Sequence, residues 1–85
     1  MYLINQIFLE DEKGQKMVLV KISGTEEGLL KAPIYVQEPV CSFLVHFLDT
    51  CLKGKEFDSI HQIISRIELL SRSLVSSVKI DIKVG

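Results

Sequence analysis

Apolar and polar positions along the chain change their period twice, and each change marks a change of element. Tyr2 to Leu9 and Met17 to Ser23 are rich in Ile, Leu, Val and aromatics, and Val18, Val20 and Ile22 alternate with Leu19, Lys21 and Ser23. These segments read as two strands, with Gly14 placed where a left-handed residue closes a hairpin. Ser23 to Gly28 is a polar loop punctuated by two glycines. Ile34-Tyr35-Val36 reads as a short third strand, fenced by Pro33 and Pro39, because proline removes a ladder donor at its own position.

From Val40 the spacing becomes helical, with Val40, Phe43, Leu44, Phe47, Leu48 and Cys51 at intervals of three and four. Together with Cys41, Val45 and Leu52 they cover an arc of roughly 200° on a helical wheel, wider than one sheet contact requires. Pro39 suits the first turn of this helix, and Lys53-Gly54-Lys55 ends it. A second helix opens at Asp58-Ser59-Ile60-His61-Gln62, where Ser59 and Gln62 fit a capping box and Asp58 is an alternative cap. Its stripe is Ile60, Ile63, Ile64, Ile67, Leu70 and Leu74, with Leu69 opposite, and it stops near Ser76-Ser77. Val78 to Val84 then alternates as a strand with one buried face. The pattern predicts a single α+β domain over residues 1–85. Its sheet is mostly antiparallel with about four strands, in the chain order β-β-β-α-α-β, and two antiparallel helices pack on one face.

An apolar fraction of 47% in 85 residues fits one globular core and excludes disorder. A chain this short buries only about 60% of its unfolded surface, which favours pairing with a copy of itself. The net charge of −1 and the scattered Lys and Arg argue against nucleic acid or an anionic membrane as partner. The N-terminal segment lacks the features of a signal peptide and no segment has the length of a membrane span, so a cytoplasmic location is expected. Cys41 and Cys51 on one helix lie about 15 Å apart along its axis. That exceeds the roughly 7 Å within which a bridge can form, so both are expected as reduced thiols.

The densest chemistry is Glu10-Asp11-Glu12, three consecutive carboxylates leading into the Gly14 turn. If the first three strands run up, down and up, Glu38 leaves the third strand at the same end. Alternation places Glu10 and Glu12 on one side and Asp11 on the other. Oxygen ligands in irregular geometry suit Ca²⁺ better than Zn²⁺, so the candidate ligands are Glu10, Asp11, Glu12 and Glu38. Glu26 and Glu27, at the opposite end, are a secondary candidate. His61 and His46 are expected on solvated helix faces, the latter beside Asp49. There is no Gly-rich phosphate loop, HExxH motif, paired-Cys zinc motif or aromatic-basic stacking surface.

Pro33-Ile34-Tyr35-Val36, Glu38, the apolar helix Val40 to Leu52, Ile60-His61 and Val78 to Ile82 together resemble the core domain of the bifunctional nuclease family. That likeness implies a nuclease-like domain using His61 and Glu68. The family commonly follows its strand with Gly and its His with Asp. Gln37 and Gln62 stand there here, so a carboxylate to accompany His61 is missing. In length and composition the chain is also similar to small proteins of methanogenic archaea. The residues themselves favour a non-enzymatic calcium-binding protein. The alternatives are a protein-interaction or homodimerisation module, supported by the wide apolar arc, and a reduced nuclease-like domain.

Overall fold

The structure, a computed structural model, describes residues 1–74. Its first strand, β1 (Tyr2–Glu12), pairs with β2 (Gln15–Gly24), and β2 with β3 (Gly28–Pro33). Helix α1 (Val40–Leu52), a two-residue strand β4 (Glu56–Phe57) and helix α2 (Ile60–Leu74) follow. The four strands form one antiparallel sheet in the spatial order β3-β2-β1-β4. The α+β class read from the sequence is therefore the fold. The expected helix stop at Ser76-Ser77 and the expected strand over 78–84 lie outside the described residues.

The β1–β2 hairpin closes through Lys13 and Gly14, both with positive φ (53° and 83°), the backbone of a two-residue turn that follows the twist of its strands. Along β1 the register shifts once, at Asn5, between the pairs Ile4–Ile22 and Gln6–Lys21. This bulge gives β1 one extra residue, and Asn5 Oδ1 accepts a hydrogen bond from the Ser23 hydroxyl at 3.3 Å. Because of it Ile4 and Ile7, three apart in sequence, both reach the core. The core rows of the sheet are then Ile4–Ile22, Ile7–Val20–Leu30 and Leu9–Val18–Ala32. Phe8, Leu19 and Lys31 form a row on the opposite side, where Leu19 is buried between its two neighbours.

The third strand lies earlier than the sequence pattern suggested. Ile34 makes only a single bridge, its N–H donating to the Lys16 carbonyl at 3.1 Å, and Tyr35 to Gln37 are irregular. Pro33 lies inside the register, opposite Met17. Since Ile34 and Lys16 form a hydrogen-bonded pair, the neighbouring Pro33–Met17 pair is the non-bonded kind, and the missing proline donor costs no ladder bond. Proline here closes the strand at an outward-facing edge position instead of opening it. The strand β4 was also not anticipated. Gly54, at φ 81°, turns the chain after α1, its N–H donates to the Ile4 carbonyl at 2.8 Å, and Lys55 returns a carbonyl to the Ile4 N–H. This turn carries Glu56 and Phe57 alongside Leu3 and Tyr2.

Helix α1 packs on β1 and on α2, while α2 touches α1 and β4. The core joins the sheet rows to Cys41, Leu44, Val45, Leu48 and Leu52 of α1 and to Ile63 and Ile67 of α2. Burying such side chains supplies roughly 1.5–3 kcal/mol each, the dominant favourable term of the fold. Cys41 and Cys51 are free thiols, as their separation along α1 requires. Among the described residues no helix is long and apolar enough to cross a membrane.

Candidate functional site

The hairpin end is built as the strand directions demand, with the exit of β3 beside the β1–β2 turn. Gln15 ties the two together, its side-chain amide donating to the carbonyls of Lys16 and Ile34 at 3.1 and 3.2 Å. Three of the carboxylates gathered here, Asp11, Glu12 and Glu38, already have partners, while Glu10 makes no side-chain contact of this kind among the described residues. Asp11 Oδ1 accepts from the Gly14 N–H at 3.0 Å, bracing the turn, and its Oδ2 lies 3.6 Å from Lys16 Nζ. Glu12 pairs with Lys31, reaching across from β3. Glu38 does not reach into the turn as a ligand. It accepts from the N–H of Ser42 at 2.9 Å and from the Ser42 hydroxyl, and so caps the first turn of α1.

Electrostatics follow from those contacts. The Ser42 hydroxyl holds the Glu38 carboxyl below the usual glutamate value, with Lys16 helping, although partial desolvation opposes the shift. Burial pushes the Cys41 thiol up, reinforced by a hydrogen bond with Glu38, so it is a poor nucleophile. Thus Lys16 stands near both Asp11 and Glu38, where the run of carboxylates predicts a metal ion. Among the described residues, no group of three or more His, Cys, Asp or Glu side chains is arranged to hold a metal ion. Glu10, Asp11, Glu12 and Glu38 are thus near neighbours in the fold without forming a ligand set. The hairpin register sets Asp11 across from Lys16, which brings a lysine to that carboxylate.

The two histidines fall on solvated surfaces, as expected. Asp49, in contrast, is not a solvated companion of His46. Its Oδ1 accepts from the Ile7 N–H at 2.7 Å, a strand amide left without a ladder partner because β4 ends after two residues. At α2, Ser59 Oγ accepts from the Gln62 N–H at 3.3 Å, and Gln62 Oε1 accepts from the Asp58 N–H at 3.0 Å. The expected capping box is therefore present, with its return bond going to Asp58 rather than to Ser59. His61 lines a recess of about 440 Å³ together with Phe57, Gln62, Ser65 and Arg66. Glu68, the partner that the nuclease likeness implies, is seven residues along α2 from His61, a rise of about 10 Å. It does not line the recess. His61 and Glu68 are not assembled as an acid–base pair.

The remaining feature is the apolar arc of α1. Leu44, Leu48, Cys41, Leu52 and Val45 are buried, but the arc continues past them. Val40 and Phe43 are exposed, Phe43 to 61%, and Phe47 is half-buried. Along this arc Phe43 stays uncovered, Phe47 does in part, and Val45 and Leu52 are covered within the chain. Tyr35, in the segment leading into α1, is 62% exposed.

No family model, curated protein or solved structure matches the chain. Only the residues themselves bear on the likeness to the bifunctional nuclease family.

Proposed function

We propose that this protein is a non-enzymatic interaction module that pairs with a second copy of itself through the uncovered strip of α1. The observation that carries the reading is Phe43, a large aromatic side chain mostly in solvent on an ordered helix. On the helical wheel its neighbours are Val40, His46, Phe47 and Thr50, with His46 the one titratable group among them. A face without carboxylates or lysines has no pattern that selects a strongly charged partner, and none that repels its own copy. Two-fold pairing buries one Phe43 beside the other's strip with a single kind of contact. The strip is narrow beside the roughly 800 Å² per partner of a standard interface, so association is expected to be weak. Calcium binding through Glu10, Asp11, Glu12 and Glu38 has no comparable support, because lysines stand against Asp11 and Glu12.

Sedimentation velocity from micromolar to millimolar protein tests the reading. The expected outcome is a monomer–dimer equilibrium in the wild type and a monomer in Phe43→Glu, with an unchanged amide spectrum away from α1. A strictly monomeric wild type across that range overturns it.

A further inference from the structure

The recess at the start of α2 has a composition that the pairing of α1 does not use. Its five lining residues are Phe57, His61, Gln62, Ser65 and Arg66. Four of them donate hydrogen bonds, and none is a carboxylate. Gln62 Oε1 is already occupied by the Asp58 N–H, which leaves its amide NH₂ as the group available to a ligand. Among the described residues Arg66 takes part in neither ion pair, so its planar fork of donors is uncommitted. Ser59 and Gln62 satisfy backbone groups of the helix start, so recognition here rests on side chains. Phe57 is half-buried and gives the recess one apolar wall. The recess offers about 440 Å³ and is open to solvent, so a ligand there keeps part of its hydration.

We propose that this recess binds a small organic oxyanion, a phosphate or carboxylate group on a flat apolar body. Arg66 and His61 meet the charge, Ser65 and Gln62 the remaining oxygens, and Phe57 the apolar part. Asp58 and Glu56, exposed in the connection just before α2, oppose the anion without lining the recess. Binding is accordingly expected in the millimolar range, on the order of 4 kcal/mol by the conversion of a millimolar constant.

Amide-shift titrations of the full chain with phenyl phosphate, benzoate and inorganic phosphate test this. The expected result is saturable movement of the Phe57, His61, Ser65 and Arg66 signals, with an aromatic anion binding more tightly than inorganic phosphate. Phenyl phosphate ahead of benzoate assigns a phosphate ligand, and the reverse order a carboxylate. Arg66→Gln is expected to weaken binding at least fivefold and Ser65→Ala less, while Arg72→Gln leaves it unchanged. Absence of saturation with all three probes overturns the proposal. So does equal weakening by Arg72→Gln, which would reduce the effect to general charge.

Discussion

Helices α1 and α2 are close in length, 13 and 15 residues, yet they occupy opposite roles. Helix α1 lies between β1 and α2 and buries Cys41, Leu44, Val45, Leu48 and Leu52. Helix α2 closes the assembly from one side and buries Ile63, Ile67 and Ser71, the last with its hydroxyl donating to the Ile67 carbonyl at 2.7 Å. The width of an apolar arc thus reports how much of a helix its neighbours cover. In α1 the arc exceeds what β1 and α2 cover, and the surplus of Val40 and Phe43 stays in solvent. In α2 the surplus is Leu69, 64% exposed on the side away from the stripe, with Leu74 partly exposed at the last described residue. The surroundings of Leu69 are polar, and the nearby recess suits a small solute rather than a helix.

The contrast can be broken most directly in the core. Leu48→Ala, at a position with no exposure, is expected to cost about 2–5 kcal/mol in denaturant unfolding. Leu69→Ala on α2 is expected to stay within about 0.5 kcal/mol. Equal costs would mean that exposure misrepresents how the helices are loaded. Next in size is Asp49, which ties α1 to the edge of β1. Asp49→Ala leaves the Ile7 N–H without its partner and is expected to cost about 1–3 kcal/mol, whereas His46→Ala and His61→Ala are expected to be close to neutral. A loss of that size at His61 would contradict its place at the surface.

The helix starts sharpen the comparison further. Ser59→Ala removes the cap of α2 and is expected to cost about 1 kcal/mol. Helix α1 is capped instead by Glu38, which makes its start sensitive to acid. A carboxyl whose folded value lies below its unfolded one adds stability that is fully present above the ordinary glutamate range. That stability is lost as the pH falls through the lowered folded value. Thermal melts across the acid range are expected to show this loss in the wild type and a shallower one in Glu38→Gln. The group is exposed, so this is the smallest effect of the set. An unchanged slope in the variant would remove Glu38 as the source.

Much of the framework was legible in the sequence. The bounds of α1 follow from Pro39 and Gly54, the start of α2 from Ser59 and Gln62, and the first hairpin from Gly14. What escaped has physical reasons. In Leu29-Leu30-Lys31-Ala32 both faces carry an apolar residue, so the pattern shows no period, and Pro33 reads as a fence although its missing donor position faces away from β2. Two residues, Glu56 and Phe57, are too few for any period to show. At the hairpin the carboxylates were visible along the chain, but Lys16 and Lys31 become their partners only across strands. The exposure of Phe43 was foreseeable from the arc width. The recess was not, because Phe57 and Arg66 carry no shared spacing signal.

The bulge at Asn5 also bears on how this chain tolerates insertion and deletion. A strand is a two-beat frame, and adding or dropping one residue ordinarily inverts everything downstream. In β1 one such extra beat is already absorbed, held by Ser23 and hidden from the core. Deleting Asn5 would leave Ile4 and Ile7 two residues apart on one face of a regular strand, so the core is expected to keep both. With Asn5 in place, the apparent irregularity is what keeps the two halves of β1 in phase with one core.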